Sequence, residues 1–169
     1  MNTITEHNGL GSTAIFSSDK IYRYFLSRKT GIPGNKKLIW IMLNPSTADA
    51  FKLDPTVIRC FVRSKRHSAN EMIILNLFGF RSPYPKDLYT IEDPIGPDND
   101  EIIASSLQGN NVTLVCAWGS HKLVHERSLE LWSRLVDISK YCLGTTKTGQ
   151  PKHPLHVAYE DDLIPFDIF

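Results

Sequence analysis

Four short apolar runs punctuate the chain: Leu38 to Leu43, Met72 to Leu77, Val112 to Ala117, and Tyr141 to Leu143 with its approach from Ile138. Each is bounded by turn-forming residues and is too short for a helix, and apolar residues at consecutive positions mark strands covered on both faces. Between the runs the period lengthens. Asp54-Pro55 reads as a helix N-cap with Pro at the first helical position; Val57, Ile58, Phe61 and Val62 then share one face of a helix that ends near His67. Asp98 followed by Glu101 resembles a capping box, with Ile102, Ile103 and Leu107 as the apolar side of a second helix. A third begins near Ser120 and turns Leu123, Val124, Leu131, Trp132 and Leu135 inward. Ahead of all these, Ser12 to Phe16 and Ile21 to Leu26 flank the polar turn Ser17-Ser18-Asp19-Lys20 and predict a hairpin.

Strand alternating with helix predicts an α/β fold: a three-layer domain with a central four-stranded, mostly parallel sheet, preceded by an N-terminal β-hairpin. Right-handed crossovers gather the loops after the strands along one carboxyl edge, where open sheets bind their ligands. Residues 1–169 are expected to form a single domain, with 1–30 as a hairpin extension and 160–169 as a packed tail. The 41% hydrophobic and 22% charged content is that of an ordinary globular chain, and the formal charge of +1 announces neither nucleic acid nor an anionic membrane, so charged function must be local. The polar start from Met1 to Asn8 lacks the basic flank and apolar core of a signal peptide, and no apolar stretch is long enough to cross a bilayer. Cys60, Cys116 and Cys142 are widely spaced in apolar surroundings without a CxxC pair. Reduced thiols and a cytoplasmic location are expected, with no membrane partner.

The candidate chemistry lies in the loops after the four runs. The first leads into Asn44-Pro45-Ser46-Thr47-Ala48-Asp49, the second into Asn76-Leu77-Phe78-Gly79-Phe80-Arg81-Ser82-Pro83, the third into Trp118-Gly119-Ser120, and the fourth through Lys147 to Lys152-His153-Pro154-Leu155. An Asn-Pro turn, an Asn with Arg-Ser-Pro, an apolar strand ending in Trp-Gly and a late His-Pro, in that order, resemble the motifs of the uracil-DNA glycosylase superfamily over roughly Leu38 to His156. The sequence also resembles, more strongly, a phage and bacterial domain family of unassigned function, through Leu43-Asn44-Pro45-Ser46-Thr47-Ala48-Asp49 and Asp54-Pro55-Thr56.

The glycosylase resemblance implies roles residue by residue. Asn44 would position the attacking water, Asn76 would read an extruded base, and His153 would stabilise charge developing on the base oxygen. Asp49, in the same crevice, is a secondary candidate for helping the water. The chemistry stands on its own terms: breaking an N-glycosidic bond puts negative charge on the leaving base, so donors aimed at the base do most of the electrostatic work without a metal or other cofactor. An Asn offers a donor and an acceptor to a pyrimidine edge. Phe51, Phe78, Trp118 and Arg81 are candidate base contacts. Ser46, Thr47, Lys147, Lys152, Leu155, Arg59 and Arg63 are candidate DNA contacts, since Arg59, Arg63 and Arg66 project from the helix face opposite Val57 and Phe61.

Structural readings stand beside each of these. Asn-Pro is a common turn, Asp54 serves as a cap, aromatics at strand ends fill cores, and an arginine-rich helix face is ordinarily solvated. His121 and His125 have the i, i+4 spacing of metal ligands but no evident third partner, which favours surface histidines and no metal site. The function expected is hydrolysis of the N-glycosidic bond of a flipped uracil or modified pyrimidine in DNA. Two alternatives stand: a base- or nucleotide-binding or protein-interaction module without catalysis, favoured by Met42 and Ser46 where the superfamily commonly carries Gly, and a hydrolase of free nucleosides or nucleotides, favoured by the near-neutral charge.

Overall fold

A computed structural model describes residues 2–135 and 138–167. Its strands are β1 (Thr3–Asn8), β2 (Ser12–Ser17), β3 (Arg23–Lys29), β4 (Lys37–Met42), β5 (Glu71–Asn76), β6 (Val112–Cys116), β7 (Lys140–Cys142) and β8 (Ile164–Pro165). The helices are α1 (Pro55–Arg66), α2 (Asn99–Ser106) and α3 (Val124–Ser133), with 3-10 turns at Pro85–Tyr89 and Pro154–His156.

The strands form one eight-stranded mixed sheet in the order β1-β2-β3-β5-β4-β6-β7-β8. The four runs read from the sequence are β5, β4, β6 and β7 and pair in parallel, but they are not a separate four-stranded sheet. Four of the seven pairings among the described residues are antiparallel. The expected hairpin forms as β2 and β3, but it does not merely precede the sheet: β3 carries apolar residues to a long-range partner, with Leu26 opposite Ile74, so the N-terminal strands extend the sheet. Polar, half-exposed β1 has no apolar face that would announce it as a strand. At the other end, Ile164 and Pro165 pair with β7, so part of the expected tail is an edge strand.

The helices lie on both faces. Trp40, Met42, Met72 and Ile74 pack on one side with Val57 and Cys60 of α1. Ile39, Ile41, Ile73 and Leu75 pack on the other with Ile103 of α2 and Val124 and Leu131 of α3. Asp54 accepts a hydrogen bond from Val57 N at 2.8 Å as the cap of α1, and the helix ends at Arg66. Its buried stripe is Val57, Cys60 and Ser64, with Ser64 Oγ receiving the Trp40 indole N–H at 3.0 Å; this rotation turns Ile58 and Val62 outward, against the sequence reading. Asp98 precedes α2 but makes no side-chain cap bond, because its near-helical φ of −105° and ψ of −1° replace the extended conformation a capping box uses. α3 begins four residues later than expected, after a turn in which Val124 N bonds His121 O. Phe166 packs edge-on against Trp118 and Trp132, fastening the C-terminal segment to this side. The three cysteines are free and buried, and burial pushes their thiols up. Among the described residues no helix is long and apolar enough to cross a membrane.

Candidate functional site

A cavity of about 670 Å³ opens at the carboxyl edge of the parallel strands. The end of β4 supplies Met42, and the loop beyond it supplies Leu43, Asn44 and Ser46. The Asn44 side-chain N–H donates to Ser82 O at 2.9 Å and to Pro45 O at 3.2 Å, tying the loop after β4 to the loop after β5. All of this bonding is through Nδ2, so among the described residues the Asn44 carbonyl oxygen remains an available acceptor. Asp54 to Val57, at the start of α1, form an adjoining wall. Asp54 therefore both caps the helix and faces the cavity, with Oδ1 engaged by Val57 N.

The opposite wall is built by the loop after β6 and the segment around Pro154–His156. Gly119 has φ of +73° and its N–H donates to Pro151 O at 2.9 Å; a Cβ there would stand 3.5 Å from His153 Cβ. The Trp118 indole N–H donates to Gln150 Oε1 at 2.8 Å, holding the same two loops together. His153 Nδ1 accepts from Leu155 N at 3.4 Å, which assigns the proton of the neutral ring to Nε2. Burial, reinforced by neighbouring His156 and partly opposed by Asp54, pushes the His153 imidazole down to about 4. It is a neutral donor at pH 7. Lys152, His156, Ser120 and Thr146 complete the rim, with the Ser120, Thr146 and Thr148 hydroxyls joined in a triangle of 3.0–3.1 Å contacts.

Six of the candidate catalytic, base-contact and DNA-contact residues line this cavity: Asn44, Ser46, Trp118, Lys152, His153 and Leu155. Ser46 also borders a shallower depression with Thr47 and Arg81. Arg81 packs its guanidinium 4.8 Å from the Phe16 ring and donates to Lys20 O, a local role away from the cavity. Asn76 is fully buried and does not line the cavity. It lies beside Met42 in the parallel ladder, and neither polar atom of its amide finds a partner among the described residues. The reading of Asn76 as an open base contact is corrected accordingly: Met42, not Asn76, forms the cavity surface there. Phe51 is 70% exposed outside the cavity, whereas Phe78 is buried in the core under α2 and α3. Asp49 folds onto its own loop, its Oδ1 accepting from Phe51 N and Lys52 N, and those bonds help hold its carboxyl below the usual value against the opposing effect of burial. The cavity carboxylate is Asp54.

The arginine face of α1 is also reassigned. Arg63 is 1% exposed and donates to Val157 O and Ala158 O at 3.0 and 2.6 Å. Arg59 donates to Val157 O at 2.9 Å, and Arg66 to Tyr159 O and Glu160 O. Arg59 and Arg63 also sit over the Tyr159 ring. These cations fasten the segment after His153 to α1 instead of facing phosphates. Lys147 is exposed in the loop before His153, off the cavity lining. His121 accepts from Leu123 N and packs on Tyr89, and His125 is exposed; among the described residues no three His, Cys, Asp or Glu side chains cluster as metal ligands.

Arg23, not among the sequence candidates, lines the cavity although it is 1% exposed. An arginine inside the run Ile21 to Leu26 was the available signal. Its direction depends on a register shift: Ile15 lies opposite Phe25, yet Phe16 lies opposite Arg23, so the bulge skips Tyr24 and turns Arg23 onto the face of Phe16 and α1.

Residues 23–155 match the family described as "Protein of unknown function (DUF1643)", and the chain belongs to it. No curated protein and no solved structure matches the chain.

Proposed function

We propose that this member of the family hydrolyses an N-glycosidic bond, taking an extruded pyrimidine nucleotide of DNA into the cavity at the carboxyl edge. The observation that carries the reading is the shared cavity of Asn44 and His153, which come from loops more than a hundred residues apart and each keep an unused polar atom. The motif order of the uracil-DNA glycosylase superfamily supports it as well.

In this reading the Asn44 carbonyl oxygen holds a water against the sugar carbon, and the Asp54 carboxylate receives the proton that the water loses. The carbon–nitrogen bond breaks as the carbon–oxygen bond forms, and its electron pair leaves with the base. The His153 Nε2–H donates to the base oxygen on which that charge collects; a neutral imidazole held near 4 acts as a fixed hydrogen-bond donor. Trp118 flanks the base, and Lys152 meets the strand at the rim. Asn76, buried beside Met42, has no part in this arrangement.

Oligonucleotides carrying uracil or a modified pyrimidine, incubated with the protein and then cleaved at abasic sites, should report base release. Asn44→Ala and His153→Ala should each lower the single-turnover rate by roughly tenfold to a thousandfold, with smaller effects on binding. Undiminished release from both folded variants would remove the assigned site. A second reading, a free nucleotide as substrate, is favoured by the engagement of Arg59, Arg63 and Arg66 with backbone carbonyls, which leaves Lys152 as the cation at the cavity rim. Titrating labelled DNA at two salt concentrations separates the two, since strand contacts weaken as salt rises.

A further inference from the structure

Water activation and stabilisation of the leaving base leave a buried cation of the cavity wall unused. Arg23 is 1% exposed, and a guanidinium carries five N–H donors. Of these, Nη1 donates to Ala48 O at 2.7 Å, whereas the buried Nε–H meets no acceptor among the described residues. Nor does Arg23 form an ion pair there. Asp54 and Asp49 favour its charge from a distance, and Arg28 and Arg81 oppose it. A buried cation without a partner is costly, and guanidinium forks match carboxylates and phosphates. The β3 bulge turns this side chain onto the cavity face. A structural strap for the loop at Ala48 would account for Nη1 but not for the unpartnered Nε or the place in the cavity lining.

We propose that Arg23 is an oxyanion-recognition residue, whose unused donors take a phosphate or carboxylate carried by the cavity's ligand. The site thereby selects an anionic nucleotide or an acid-bearing base over its neutral counterpart. This deepens the nucleotide reading above and rests on it for the choice of ligands. The two sources of the anion differ in where it sits, on the sugar or on the base.

Calorimetric titration of the full chain with two ligand pairs tests this: deoxyuridine against its 5′-monophosphate, and uracil against uracil-6-carboxylate. At least tenfold tighter binding of the anionic member is expected in one pair, and that pair identifies the source. Arg23→Gln should abolish the preference, and Arg23→Lys, which keeps the charge but loses the fork, should retain part of it. If Arg23→Gln does not fold, the wild-type pairs and Arg23→Lys decide. Equal affinity within both pairs, no binding of any ligand at millimolar concentration, or an unreduced preference in a folded Arg23→Gln or Arg23→Lys protein would overturn the proposal. Anion preference without base release from DNA would sink the hydrolase reading and leave this site standing; base release without anion preference would do the reverse.

Discussion

Replacing His153 with Gln tests the electrostatics of the cavity without assuming a substrate. Burial and His156 hold the ring near 4, against an ordinary value of 6.5. The unfolded chain therefore binds a proton at pH values where the folded site refuses one. Stability contributed by the neutral ring is complete above pH 6.5 and is lost as pH falls from there through about 4. A displacement of that size corresponds to about 3 kcal/mol, which partial exposure of the ring reduces to about 2 kcal/mol. Urea unfolding of wild type and His153→Gln should show the wild type losing about 2 kcal/mol more across this window. His67 and His121 are also displaced downward by burial, but both are present in each protein and cancel in the difference. Asp19 and Asp49, held below 3.8, lose their contributions at lower pH. An NMR titration of the His153 ring supplies the direct measurement. Parallel stability curves, or a ring midpoint near 6.5, would refute the buried neutral donor.

Arg63→Met should cost about 2–4 kcal/mol, because it takes the charged donor from Ala158 O, leaves Val157 O to Arg59 alone and removes a buried side chain, and protease should cut earlier after Val157; an unchanged melting temperature would show that the segment holds without it. Gly119→Ala should lose about 1–2 kcal/mol, since φ of +73° is strained for any side chain, and should weaken ligand binding at the neighbouring His153. A variant as stable as wild type would contradict that backbone geometry. Lys147→Ala and Lys152→Ala should weaken DNA binding in a salt-dependent manner while sparing the saturated rate; equal salt slopes in variant and wild type would assign both lysines to solvent. A chelator should leave base release intact, because Asn44, Asp54 and His153 supply the donor and acceptors of the step; activity lost to chelation and restored by a divalent ion would overturn the mechanism.

Asp54-Pro55 marked the start of α1 because capping is a contact between near neighbours in the chain, and consecutive apolar residues marked β4, β5 and β6 because both faces of those strands are covered. Asn44 and His153 stood out because each follows a strand in a short motif. Contacts of that range can be written in neighbouring residues. The partner of β3, the face taken by Arg23, the Met42 side chain standing where Asn76 was expected, and the carbonyls that occupy Arg59 and Arg63 were decided only by the tertiary structure. Those features join residues tens of positions apart, or more than ninety in the case of Arg63 and Val157. A single bulge reverses which face a side chain occupies, and a buried cation's partners are whichever carbonyls the packing brings to it. No local pattern of apolar and polar residues encodes either.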